Sequence, residues 1–260
     1  MKFAIFYLSM TGNTKYASEM IKKGIEESGN SCDLLDINGL EFYDFDKYDI
    51  FGFGCPVFAF REPKPVRKFI KGLKEFNHFN CNCFIFCTCE GNNGNALYRM
   101  AKNLRRKGCQ IFAKETFYYP SSYIVWNKKD KEFNMDPKEI NKAIEFGKTL
   151  NTTFKEFKDD GTKLKFSWSP FSAILGFFSS DTSLRFYLGK IKVDEDKCTK
   201  CSKCAEICPI NAIELNPYPE FSKDCIGCCG CINMCPEGAL DSKKTKNKPK
   251  YKFDTSFIGK

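Results

Sequence analysis

Cys198, Cys201, Cys204 and Cys208 stand at C-x₂-C-x₂-C-x₃-C spacing, and Pro209 follows the last of them. The same spacing recurs at Cys225, Cys228, Cys231 and Cys235, again followed by a proline, Pro236. Cysteine thiolates are the ligands of iron–sulfur clusters, and three of them at three-residue spacing can wrap one cubic cluster through a tight loop. Proline after the fourth gives up an N–H and fixes φ, which suits the turn that must follow. The pair Ala212–Ile213 also recurs, as Ala239–Leu240, at the same offset. A fixed offset of this kind reads as two copies of one structural unit. Zinc is the competing metal, but tetrahedral zinc sites draw paired cysteines from two knuckles rather than three from one run.

The doubled run closely resembles the bacterial-type 2[4Fe-4S] ferredoxin family. That resemblance implies two [4Fe-4S] clusters, with the fourth cysteine of each run ligating the cluster of the other. One cluster would take Cys198, Cys201, Cys204 and Cys235. The other would take Cys225, Cys228, Cys231 and Cys208. Cys229 breaks no spacing and is left unliganded. Ile191, Ile207, Ile213, Ile226 and Ile232 are the residues expected to bury the clusters.

The first half supplies a different framework. Lys2–Leu8, Cys32–Ile37, Ile50–Gly54, Cys83–Thr88 and a segment starting at Gln110–Ala113 read as apolar strands. Between them, Ala17, Met20, Ile21, Gly24 and Ile25 recur at helical spacing, as do Val66, Phe69, Ile70 and Leu73. Leu97, Met100, Ala101 and Leu104 do so again, and Ile140, Ala143, Ile144 and Gly147 mark a last helix. Strands alternating with helices predict a doubly wound α/β domain on a five-stranded parallel sheet, with ligands at the carboxyl ends of the strands.

Three loops fall at those ends. After the first strand, Ser9-Met-Thr11-Gly12-Asn13-Thr14 gathers hydroxyls, a glycine and free backbone N–H groups at a helix N-terminus, a ready anion site. A capped helix start, with Thr11 or Asn13 as the cap, is the plainer reading. The loop is similar to the phosphate loop of flavodoxins, and that resemblance, over residues 1–157, implies FMN. It also assigns the ring to two further loops, around Pro56, Val57, Phe58 and Phe60, and around Thr88, Cys89, Gly91, Asn92 and Gly94. Phe58 and Phe60 would stack on the ring, while Tyr119 to Tyr123 would close the site. Flavodoxins that work alone often carry an acidic surface and a Trp/Tyr pair at the ring; here the loops are rich in phenylalanine and the chain is basic.

Several features read more plainly. Cys81, Cys83, Cys87 and Cys89 would share one face of a strand and pack as small hydrophobes without converging on an ion. His78, the only histidine, reads as a loop residue. Segment 158–190 carries Phe166, Trp168, Phe171, Ile174, Phe177 and Leu184, and is expected to be a connector packed against both domains, since so much exposed apolar surface would be a liability. The ferredoxin domain should span 191–241. The tail 242–260, with seven lysines, reads as a solvated, mobile end.

The formal charge of +9 overstates the real balance, because cluster thiolates and a flavin phosphate would offset most of it. No helix-turn-helix pattern supports nucleic acid, and no run reaches the roughly 18 apolar residues that suggest a membrane span. The start reads as a first strand rather than a secretory segment, so sixteen cysteines point to a reducing cytoplasm rather than a disulfide scaffold. Together the two halves resemble the ferredoxin-fused flavodoxin-like proteins of anaerobes. The resemblance implies an electron-transfer iron–sulfur flavoprotein working with a redox partner protein. The alternative is an FMN-dependent reductase acting directly on a small molecule. No set of catalytic acid, base or nucleophile stands out.

Overall fold

The computed structural model describes residues 1–40, 44–73, 81–160, 164–178 and 181–259. The side chains of residues 160, 177, 178, 181 and 182 are left aside, and the expectations for His78 and Phe177 lie outside what is described.

Five apolar strands build one parallel sheet: β1 (Lys2–Tyr7), β2 (Ser31–Asp36), β3 (Ile50–Pro56), β4 (Asn82–Cys89) and β5 (Gln110–Tyr118), in the order β2-β1-β3-β4-β5. β1, β3 and β4 are buried along nearly their whole length, because helices cover both faces of the sheet. α1 (Asn13–Glu27) and α4 (Pro137–Asp160) cover one face, while α2 (Lys64–Gly72) and α3 (Ala96–Arg105) lie with the core cluster of the other. Strand order reverses between β1 and β3, so the loops after these strands splay apart and leave a crevice at their carboxyl ends.

α1 and α4 meet through Gly24 and Gly147. A Cβ at Gly24 would run into the carbonyl oxygen of Ile144, and one at Gly147 into that of Ile21. The backbones touch because neither helix carries a side chain at the crossing.

Cys81, Cys83 and Cys87 are buried as expected, with Cys55, on the α2/α3 side of the sheet. Cys109, just before β5, packs in the same cluster as Cys81 and Cys83.

α5 (Pro170–Phe178) and α6 (Asp181–Leu188) follow. Leu164 and Phe166 pack on the sheet core, and Ser169 exchanges two hydrogen bonds of 2.9 Å with Asn95. Leu188 enters the core of the C-terminal unit. The segment therefore touches both halves, but it leaves several large apolar groups exposed. Trp168, Phe171, Ile174 and Phe186 remain 55%, 68%, 57% and 82% exposed.

The C-terminal unit is small and two-fold repeated. β6 (Ile191–Val193), α7 (Lys203–Glu206), β7 (Ile213–Leu215), β8 (Pro219–Phe221), α8 (Gly230–Met234) and β9 (Leu240–Ser242) form two antiparallel pairs, β6–β9 and β7–β8. The backbone repeats as the cysteines do. Lys200, Ser202 and Asn211 adopt positive φ, and so do Gly227, Cys229 and Gly238 at the corresponding places of the second copy. Cys229 stands at the N-terminal boundary of α8 as Ser202 does for α7, neither with a side-chain capping hydrogen bond.

The basic tail is not a solvated end. Tyr251 is fully buried, and its N–H donates to Asn233 Oδ1 on α8 at 2.8 Å. Its hydroxyl donates to Asn13 Oδ1 at the start of α1. Phe253 donates its N–H to the carbonyl of Thr11 at 2.8 Å and stacks on Tyr16 at 4.4 Å between ring centroids. Further on, Met135 exchanges backbone hydrogen bonds with Phe257 and Gly259. The lysines alternate with aromatics that find these seats, which charge counting did not reveal.

Substituting Gly147→Ala should force α1 and α4 apart and destabilise the fold by about 1–3 kcal/mol. A lower urea midpoint checks this, and an unchanged midpoint would show that the helices can separate without loss. Tyr251→Phe should leave the fold intact while loosening the turn after β1. Hydrogen exchange at the Asn13 and Phe253 amides should then accelerate, and unchanged protection would mean that the hydroxyl contributes nothing there.

Candidate cofactor site

The turn between β1 and α1 begins with Ser9, whose Oγ accepts from Gly12 N–H at 3.2 Å. Gly12 takes φ of 104°, and α1 starts behind it with no side-chain cap and no acidic residue in its first turn. Neither Thr11 nor Asn13 caps the helix. Its first N–H groups therefore keep their donors for an anion, with the helix dipole behind them. Asn13 spends its side chain elsewhere. Its Nδ2 donates to Pro120 O at 2.8 Å, and its Oδ1 accepts from Tyr251. Thr14 and Thr88 share a buried hydrogen bond of 2.8 Å between hydroxyls, which ties the first loop to the end of β4.

The loop after β3 is a tight hairpin. Phe58 and Arg61 exchange backbone hydrogen bonds of 2.9 and 3.1 Å across Ala59 and Phe60, which have φ of 49° and 64°. Two successive non-glycine residues in the left-handed region are costly, and such strain persists where surroundings enforce it. Here Asn95 N–H holds the Phe60 carbonyl at 2.8 Å. Gly94, itself at φ of 55°, lies so close that a Cβ would run into that carbonyl.

These loops line an open cleft of about 190 Å³. Ser9, Thr11, Asn13 and Thr14 line one end of it; Pro56, Val57, Phe58 and Phe60 line a wall, and Thr88, Cys89, Gly91 and Asn92 another. Gly12 and Gly94 are not in the lining. Gly12 faces Phe253 and Gly94 supports Phe60, so each acts one layer back. Tyr119 and Tyr123 close the cavity as expected. Three lining residues escaped the sequence reading: Trp126, Leu184 and Cys228. Tyr123 and Trp126 meet edge to face at 4.9 Å, so an aromatic pair stands at this cavity although the ring loops themselves carry phenylalanine. The shape and the free N–H groups at one end fit a phosphate-bearing planar cofactor.

Beyond Cys228 lie two smaller cavities of about 20 Å³ each. The first is lined by Cys198, Cys201, Cys204 and Cys235, the second by Cys208, Cys225, Cys228 and Cys231. Each cavity thus gathers four thiols of the doubled motif, and Cys229 is a fifth at the second. Each fourth cysteine has crossed to the other run, and electrostatic coupling follows the same division: Cys204 feels Cys235 and Cys201, whereas Cys228 feels Cys225 and Cys208. Burial first, and then the neighbouring thiols, push Cys228 and Cys231 above the ordinary thiol range. A cationic metal core would reverse that preference.

Backbone donors face the sulfurs symmetrically. Ala212 N–H donates to Cys208 Sγ and Ala239 N–H to Cys235 Sγ, both at 3.3 Å. The recurring alanine–aliphatic pair thus places one amide on each crossing ligand, and its Ile213 or Leu240 enters the core. Ile191, Ile207, Ile213 and Ile226 line the second cavity, and Ile232 is buried beneath it. None of them lines the first, where Cys201 is exposed. Cys229 is buried in the core with its thiol toward Gly227 O at 3.7 Å.

Among the described residues no helix is long and apolar enough to cross a membrane. A family model described as flavodoxin matches residues 5–118, and one described as a 4Fe-4S binding domain matches residues 191–214. The latter spans the first cysteine run only. No curated protein matches the chain. Among solved structures, a flavodoxin from the domain Archaea is 19% identical, with a TM-score of 0.47 over 60% of this chain and 99% of its own. The two-electron reduced flavodoxin of Megasphaera elsdenii is 16% identical, with a TM-score of 0.42 over 57% of this chain and 99% of its own. The flavodiiron protein from Giardia intestinalis is 15% identical, with a TM-score of 0.39 over 62% of this chain and 38% of its own. The chain thus carries a flavodoxin-type domain and a 4Fe-4S ferredoxin-type domain, a pairing that supports electron transfer of the flavin and iron–sulfur kind.

Proposed function

We propose that the chain passes low-potential electrons between two [4Fe-4S] clusters and FMN, and onward to a redox partner protein. The observation that carries this reading is Cys228. It belongs to the second set of four thiols and at the same time walls the cavity between the flavodoxin loops. When bound, the clusters supply single-electron transfer and FMN stores one or two electrons; the protein sets distance, solvent access and potential.

The residues divide that work. The N–H groups of the Ser9–Thr14 turn and the hydroxyls of Ser9, Thr11 and Thr14 would hold the phosphate of FMN. Phe58, Phe60, Tyr123 and Trp126 would bound its ring, with Cys89, Gly91 and Asn92 along the far edge. Cys198, Cys201, Cys204 and Cys235 would hold the outer cluster, and Cys225, Cys228, Cys231 and Cys208 the inner one. Exposure grades along this series. Cys201 faces solvent, whereas the inner set is wrapped by isoleucines that exclude water and tune potential. The short chain from Cys228 to Gly230 then brings the inner set against Met10, where a Cβ on Gly230 would stand 3.1 Å from Met10 Cβ.

A second reading, direct reduction of a small molecule, is favoured by the open mouth of the larger cavity, where Trp126 is 65% exposed. Turnover of a quinone or nitro compound by the reduced protein alone would move the function to that reading.

Anaerobic purification with iron, sulfide and flavin analysis should give about eight iron, eight sulfide and one FMN per chain. About four iron would leave only one cluster, and zinc would replace the cluster assignment outright. Cys201→Ala should halve the iron and leave FMN bound, as read by metal analysis and the flavin spectrum. Simultaneous loss of flavin would show that the two halves do not hold their cofactors independently.

A further inference from the structure

A second concavity adjoins the flavodoxin cavity and has no part in the reading above. It is a groove of about 730 Å³ between α2 and α3, roofed by α5. Arg61, Arg67, Lys71, Arg99, Lys102 and Arg106 line it, and among the described residues no carboxylate does. Glu62 sits behind them, fully buried, with Arg99 Nε at 2.7 Å and Arg67 Nη1 at 3.6 Å. One carboxylate thus orients two of the six cations and leaves the groove strongly positive.

Two further observations say what it faces. Phe60 lines both the groove and the flavodoxin cavity, so the two are separated by one residue of the strained hairpin. At the rim, Trp168, just before α5, lines the groove and is 55% exposed, and Phe171 and Ile174 on α5 are 68% and 57% exposed. Tryptophan and arginine around an apolar patch form the composition of a protein-binding hot spot rather than of a solvated face. The length of the groove, its openness along two helices and the aromatic rim favour a macromolecular surface over one small anion.

We infer that this groove is the docking surface for an acidic one-electron carrier protein, which approaches the flavin end of the chain through Phe60. The inference rests on the proposed electron-transfer role. It names the partner by its chemistry: a small redox protein with an acidic face around its own centre. In the docked pair one electron leaves the carrier's reduced centre and reduces this chain, or travels the reverse way, and no bond forms or breaks. Positive charge opposite negative charge steers such an encounter and raises its rate.

The test uses the anaerobically purified holoprotein and an acidic bacterial-type ferredoxin as probe, with the basic carrier cytochrome c as the contrast. Binding of the oxidised ferredoxin, by titration calorimetry, and electron exchange with the reduced ferredoxin, by stopped flow, should both weaken steeply between about 0.02 and 0.5 M ionic strength. The triple variant Lys71→Gln, Lys102→Gln and Arg106→Gln removes exposed cations that make no described side-chain hydrogen bond or ion pair. It should slow the ferredoxin reaction roughly tenfold at low salt and flatten its salt dependence. Iron content, flavin content and reduction by dithionite should not change. Ferredoxin rates equal in variant and parent, or rates insensitive to salt, would overturn the assignment. So would preference for cytochrome c, or competition by NADPH at concentrations that leave ionic strength unchanged, which would make the groove a nucleotide site. If ferredoxin binds as expected while the internal centres exchange no charge, the docking surface stands and the proposed function falls.

Discussion

The start of α8 lies on the turn after β1, and the value of joining two cofactor domains in one chain depends on that contact. A Cβ on Gly230 would press on Met10 Cβ at 3.1 Å and touch Cys228 Sγ at 3.5 Å. Electron exchange weakens steeply with distance, so a methyl group here would act on function through geometry alone. The neighbouring seats keep the contact from sliding. Asn233, on the same short helix, donates to Ser122 O at 2.8 Å and accepts from the tail, while the tail in turn holds Asn13 and Thr11. Cluster helix, phosphate turn and tail are therefore one hydrogen-bonded assembly, with Tyr251 buried at its centre.

Each half solves its own problem by a different device. The sheet solves the ligand-binding problem by topology: order reverses at β1 and β3, the loops part, and the helix that follows presents bare N–H groups. The small unit solves it by repetition. Six positive-φ residues in two matched triplets bend the chain around two cavities, and each copy lends its last cysteine to the other. That exchange, with the β6–β9 and β7–β8 pairs, stitches the two copies together.

Much of this was legible in the residues. Alternating apolar strands and helical stripes gave the parallel sheet, since burial on both faces demands apolar residues throughout. The spacing of the cysteines gave two equivalent sites, because ligand geometry constrains sequence spacing more tightly than packing does. The recurring Ala212 and Ala239 signalled an equivalence whose meaning, an amide on each crossing sulfur, needed coordinates. What stayed hidden was long-range. Nothing local in Leu184 or Trp126 marks them as cavity walls, for they reach the site through chain reversals. The tail reads as solvated by its lysines, although Tyr251 and Phe253 decide its fate by filling seats on distant elements. Gly12 and Gly94 look like ligand-contacting glycines, yet they serve close approach of Phe253 and Phe60. The flavodoxin resemblance placed the loops but not which aromatic pair bounds them.

The central claim is electrical contact between the two halves across Cys228 and Met10. Single-turnover rapid mixing of the anaerobic holoprotein with less than one equivalent of a one-electron reductant tests it most directly, by following the iron–sulfur and flavin absorbances together. The account predicts an initial distribution that relaxes to a second one at a rate independent of protein concentration. Absorbance changes that never redistribute, or that do so only in proportion to protein concentration, would contradict it.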